Sequence, residues 1–211
     1  MKPTFTRMSA VQPPLPARRW PLWCVVGIWA LVTAAGFTAI WAYGHTPGAA
    51  GRDTEDWPAA SAVAPASDRP TLVMFLHPKC PCSRASLEEL SRVLALYPDA
   101  FALRFVFFQP DRAEESWTQT DLWKKARSLP HAEVVTDKSA AEAKLFGALT
   151  SGDTYIYDPS GTLKFHGGLT ASRGHAGDSP GQDAIRQIAQ SQVPSLTRFA
   201  VFGCPIIKDT P

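Results

Sequence analysis

Hydrophobic positions fall into three successive regimes along this chain. Pro21 to Tyr43 (PLWCVVGIWALVTAAGFTAIWAY) is apolar throughout and carries no charged residue. A helix needs about 20 apolar residues to cross a bilayer, so this run predicts a membrane-spanning helix. Gly44 to Arg69 is rich in Ala, Pro, Gly and Ser without apolar period, the composition of a tether. From Pro70 onward, short apolar runs alternate with helical spacings. Leu72–His77 and Phe101–Phe108 are dense apolar runs of strand length, and Glu133–Thr136 is a shorter one. Leu87, Leu90, Val93, Leu94 and Tyr97 predict a helix over Ser83–Tyr97, stopped by Pro98. Further helices are predicted within Ser116–Leu129, Ser139–Leu149 and Gln182–Gln192. Thr154–Asp158 and Thr162–His166 flank Pro159-Ser160-Gly161, a hairpin signal. The order β-α-β-α-β-α-β-β-α predicts an α/β domain over 70–211 whose mixed sheet ends in an antiparallel hairpin.

Charge orients the apolar run. Lys2, Arg7, Arg18 and Arg19 precede it, whereas Arg52 follows among Asp53, Glu55 and Asp56. The positive-inside rule then places residues 1–20 in the cytoplasm, makes 21–43 a single-pass anchor in the inner (cytoplasmic) membrane, and puts the rest in the periplasm or its equivalent. Trp20, Trp23, Trp41 and Tyr43 near its ends suit the headgroup layer. The run exceeds the roughly 7–15 apolar residues of a cleaved signal peptide and lacks an adjacent small-x-small site, so an uncleaved signal-anchor is expected. Residues 44–69 then form the linker. A net charge of +2 over 211 residues gives no footprint for nucleic acid.

The four cysteines, Cys24, Cys80, Cys82 and Cys204, are too few for a disulfide scaffold. Cys24 lies inside the anchor as a small apolar residue. Cys80-Pro81-Cys82 sits where a strand turns into a helix, and a helix N-terminus favours thiolate, the species that attacks disulfides and binds soft metals. His77 and Lys79 precede Cys80 closely enough to add positive charge. A disulfide between residues i and i+2 closes a strained, labile ring, so Cys80 has two candidate partners: Cys82, or Cys204 within the turn-like Phe202-Gly203-Cys204-Pro205. Glu88 and Glu89 are expected on the solvated face of the helix, and Gly167–Gly181 as a long loop of the kind that carries function.

The segments LVMFLHPKCPCSRASLEEL and TYIYDPSGTLKFHGG, with the order of elements between them, resemble membrane-tethered thioredoxin-like proteins of the TlpA type, and more narrowly their RedB-like branch, over about residues 70–192. The resemblance implies a three-layer α/β/α sandwich. Aligning Arg84-Ala85-Ser86-Leu87 on the family's first helix puts Cys80 at the nucleophile's position and Ser83 at that of the resolving cysteine, with Cys82 between. Gly152 stands where the family has a cis-proline facing the cysteines. The loop after the hairpin would carry Arg173 and His175 over Cys80. The implied activity is extracytoplasmic thiol–disulfide exchange with protein thiols or disulfides through a mixed disulfide, without cofactor, Cys82 or Cys204 resolving. The alternative is a Cu(I) carrier using Cys80, Cys82 and His175, since thiolates with an imidazole suit cuprous copper. A peroxidatic reading lacks its Pro-x-x-x-Thr-x-x segment before Cys80. A non-catalytic binding module would carry the same thiols buried and inert.

Overall fold

The computed structural model describes residues 21–207; the expected cytoplasmic segment 1–20 and residues 208–211 lie outside the described residues. Helix α1, Leu22–His45, buries no side chain and is long and apolar enough to cross a membrane. The residues through Ile40 form one unit and those from Trp41 a second.

In the second unit, β1 (Thr71–Leu76) leads into α2 (Pro81–Leu96) and β2 (Ala102–Gln109). Then come α3 (Asp121–Arg127), β3 (Ala132–Lys138), α4 (Ala141–Phe146), the hairpin β4 (Thr154–Tyr157) and β5 (Leu163–Gly167), and α5 (Pro180–Ala189). The sheet order is β3-β2-β1-β4-β5, with β1, β2 and β3 parallel and β4 and β5 each antiparallel to its preceding neighbour. Because β1 is central, both its faces are buried, which is why TLVMFL is apolar without alternation. Leu72, Met74 and Leu76 pack on one face with Leu87 and Leu90 of α2, Leu122 of α3 and Ile185 of α5. Val73 and Phe75 pack on the other with Phe146 of α4 and Tyr155.

Local chemistry sets the ends of the helices. Pro180 occupies the first turn of α5, and Ser179 accepts the Gln182 N–H at 3.1 Å. The helix expected over Ser116–Leu129 is interrupted by Thr120, whose extended backbone and hydroxyl cap α3 and leave Glu115–Trp117 as a separate 3₁₀ turn.

The segment 44–69 departs from a free tether by lying against the domain. The Leu163 N–H donates to Glu55 O (2.8 Å) and the Trp57 N–H to Gly161 O (2.9 Å), extending the sheet beside β5. Trp57 packs edge-on against Phe146 and Tyr157, and Val63 is buried. Backbone pairing and two isolated apolar side chains leave no period in the sequence, so composition alone read as linker.

Candidate active site

The carboxyl end of β1 meets the residues before β4 at the N-terminus of α2. Cys80 closes the turn by donating its N–H to His77 O (3.1 Å), and it caps α2 with extended backbone angles ahead of Pro81. Ser83 locks the same turn, its Oγ accepting the His77 N–H at 3.0 Å. The Ser83 hydroxyl therefore serves the backbone of the turn.

The chain beyond α5 returns along β5 and the residues before β4. His166 donates its N–H to Thr197 O (2.9 Å), Phe199 to His166 O (3.1 Å), and Ile206 to Leu149 O (2.8 Å). This path seats Cys204 Sγ 3.0 Å from Cys80 Sγ. Ser151 ties the two together: its hydroxyl donates to Cys80 Sγ (3.3 Å) and accepts the Cys204 N–H (3.0 Å), while its N–H donates to Cys204 O (2.8 Å). A Cβ at Gly203 would collide with the Ser151 carbonyl oxygen, so only glycine lets the tail approach this closely. Cys82 completes a group of three sulfurs lying within 4.8 Å of one another. Cys80 and Cys82 are each 4% exposed, whereas Cys204 is half-buried.

These surroundings separate the three thiols. Hydrogen bonding from Cys82 holds the Cys80 thiol well below its ordinary range; burial opposes this, while Cys204, Ser151 and the Ser83 N–H reinforce it. The same contact with Cys80 pushes Cys82 strongly upward, as does its burial. Burial first, then Cys80, raises Cys204 to about 11, with the Arg173 charge pulling the other way. One thiolate, on Cys80, thus receives donors from two neighbouring thiols.

His77 is half-buried between Phe108 and Trp117, with ring centroids at 5.9 and 5.3 Å, and burial lowers its pKa. Its Nδ1 accepts the Lys79 N–H at 3.3 Å, and the Lys79 ammonium sits over the Trp117 ring, 5.1 Å from its centroid. Gly152, next to Ser151, takes φ +91° and donates to Phe75 O at 2.7 Å; a Cβ there would stand 2.7 Å from Ser86 Oγ. Arg173 donates to Gly203 O beside Cys204 and to Thr46 O (3.1 Å). His175 is exposed, and the sulfur cluster contains no histidine. Of the set Cys80, Cys82 and His175, the structure brings the two thiols together with Cys204, while the loop turns its backbone at Gly174 toward Cys82 and leaves the His175 ring in solvent.

Two residues of the site escape sequence reasoning. Ser151 adjoins Gly152, and a small hydroxyl there gives no signal without the tail. Ser151→Ala is expected to move the titration of Cys80 upward by about one pH unit, the worth of one charge-assisted hydrogen bond. Thiolate absorbance followed against pH measures this, and an unmoved curve would deny the contact. Glu89 is the second. Expected in solvent, it is fully buried seven residues from Cys82, two turns along the same helix face. It accepts the Gly177 N–H and the Gln182 amide, each at 2.7 Å, and pairs with Arg92, tying the 167–181 loop to α2. Glu89→Ala strands these donors and is expected to destabilise the fold by about 2–4 kcal/mol, read from the midpoint of urea unfolding. A loss within experimental error would return Glu89 to the solvated face.

No protein-family model and no curated protein matches the chain. Among solved structures, a hypothetical protein from Sinorhizobium meliloti is 19% identical with a TM-score of 0.56, over 76% of this chain and 97% of its own. An uncharacterized conserved protein from Geobacillus kaustophilus is 20% identical with a TM-score of 0.52, over 69% of this chain and 80% of its own. A secreted disulfide oxidoreductase from Mycobacterium tuberculosis, homologous to E. coli DsbE, is a looser match at 18% identity and a TM-score of 0.41, over 58% of this chain and 81% of its own. Likeness to the first two speaks to the fold alone, and with β3-β2-β1-β4-β5 flanked by helices on both faces, that fold is a thioredoxin-like three-layer α/β/α sandwich following an apolar helix.

Proposed function

We propose that this protein is a membrane-tethered, extracytoplasmic thiol–disulfide oxidoreductase in which Cys80 attacks and Cys204 resolves. The observation that carries the reading is the 3.0 Å approach of Cys204 Sγ to the sulfur on which the site's donors converge. Cys82 lies in the first turn of α2 and serves as a donor to Cys80, since an i, i+2 ring would be strained. Helix α1 holds the domain at the membrane, and the basic flank before it points the domain outward, where disulfides persist.

In exchange, the Cys80 thiolate attacks a substrate disulfide, the S–S bond of the substrate breaks, and its outer sulfur leaves as a thiolate. Cys204, giving its proton to solvent, then attacks Cys80 Sγ and expels the second substrate sulfur. Two electrons pass to the substrate, and the reverse sequence oxidises a dithiol.

The test is to oxidise the full-length protein in detergent and map its disulfide by mass. A Cys80–Cys204 bond is expected, with Cys204→Ser accumulating the mixed disulfide at Cys80 and Cys82→Ser still exchanging. A Cys80–Cys82 bond would overturn the assignment of Cys204, and oxidation that produces neither bond would overturn the reading itself.

A further inference from the structure

We propose that Cys80, Cys82 and Cys204 together form a trigonal, all-sulfur site for a single Cu(I) ion. Among the described residues, these three make up the one group of three Cys, His, Asp or Glu ligand atoms close enough to share an ion. The cluster contains neither carboxylate nor imidazole, and an all-thiolate set selects soft cuprous copper over harder ions. A Zn(II) ion would require a fourth ligand to complete a tetrahedron. No histidine ring nitrogen joins the three sulfurs in that group, and His175 is in solvent.

The spacing suits three-fold coordination. Three sulfurs about 2.3 Å from a central ion, the length of a zinc–thiolate bond, stand about 4.0 Å apart in a plane. All three here lie within 4.8 Å of one another, and Cys80 and Cys204, at 3.0 Å, would part by about 1 Å. Two ligands are fixed at the start of α2, and the third rides on a tail clamped by Ser151. The negative charge of such a centre faces the N-terminus of α2 and the Arg173 guanidinium bound to Gly203 O. Burial of Cys80 and Cys82 keeps water and oxidants from the ion.

Binding moves no electron. Copper enters and stays as Cu(I), the Cys82 and Cys204 thiols give their protons to solvent while Cys80 binds as the thiolate it already is, and all three sulfurs remain reduced. The copper-bound form and a Cys80–Cys204 disulfide therefore exclude each other. Copper binding rests on the geometry of the three sulfurs and does not require that the protein catalyse exchange.

The test titrates the reduced full-length protein in detergent, without oxygen, with Cu(I) in competition with bicinchoninate. One Cu(I) per chain is expected, with X-ray absorption reporting three sulfur neighbours. Cys204→Ser, a change at a half-buried position, is expected to weaken binding by at least about 100-fold, taking as a lower guide the loss on removing an outer-shell partner. His175→Ala is expected to leave binding unchanged. Failure to compete for one Cu(I), indifference to Cys204→Ser, or dependence on His175 would each overturn the site. Exchange assayed on metal-free protein is read separately, so either reading can fail while the other stands.

Discussion

Replacing Cys80 with serine is expected to lower the rate of thiol–disulfide exchange by at least about a thousandfold while the fold is retained. The loss follows from the chemistry of the attacking group. Donors from Cys82, Cys204, Ser151 and the Ser83 N–H make Cys80 a thiolate at neutral pH, and a serine hydroxyl in the same place stays protonated and does not exchange with disulfides. Retention of the fold follows from its position. Cys80 caps α2 without a side-chain hydrogen bond to the helix, and serine is among the preferred capping residues, so the variant is expected to gain about 0.5–1 kcal/mol. Exchange with a small aromatic disulfide, together with urea unfolding of the same samples, separates the two effects. Exchange at the unmodified rate in Cys80→Ser would remove Cys80 from the chemistry. Cys82→Ala provides the contrast: it removes the side-chain donor that is the largest influence holding the Cys80 thiol down, so exchange is expected to persist with its pH dependence moved upward.

The fold is largely legible in the sequence because its signals are local. The expected strands Leu72–His77 and Phe101–Phe108 are β1 and β2 displaced by no more than a residue at either end, and Pro159-Ser160-Gly161 joins the hairpin as its composition predicts. The turn at Cys80 is equally legible, since strand, cysteine and amphipathic helix follow one another directly. The rest of the site is assembled by contacts distant in sequence. Cys204 reaches Cys80 across 124 positions through Ser151, and no periodicity reports such a meeting. The 44–69 segment is misread for the same reason, because it pairs through backbone atoms whatever side chains it carries. His175 shows the converse: a metal-binding residue type in a promising loop, turned to solvent when the loop is anchored at Glu89 through Gly177 and Gln182.

The largest stability effect is expected at His166, to which sequence reasoning assigned only a place in a strand. Its buried ring lies between two carboxylates, with Nδ1 2.6 Å from Asp53 Oδ1 and Nε2 2.8 Å from Asp153 Oδ1, and it stacks on Tyr155 at 4.1 Å. Asp53 in turn pairs with Arg198 at 2.5 Å, so one imidazole joins β5 to the segment before the domain and to the tail that presents Cys204. Burial alone would lower the pKa of His166, but hydrogen bonds and charge from Asp153, then Asp53, raise it. Asp153 is also raised, by burial, and among the described residues its second oxygen has no hydrogen-bond partner. Both groups hold protons more tightly in the folded state, so stability falls as pH rises. The contribution of His166 is complete below its unfolded value of about 6.5 and is lost as pH climbs through its higher folded value. His166→Ala leaves Asp153 buried without its cation and is expected to cost about 3–5 kcal/mol at neutral pH. The decline associated with His166 should disappear from the pH profile, and the deficit should shrink in acid as Asp153 protonates. Adding Asp153→Asn to His166→Ala removes the uncompensated charge and should recover part of the loss. Urea unfolding across this pH range decides the matter. If His166→Ala costs less than about 1 kcal/mol at neutral pH, or if Asp153→Asn deepens the deficit, then the imidazole is not what holds Asp153 in the interior.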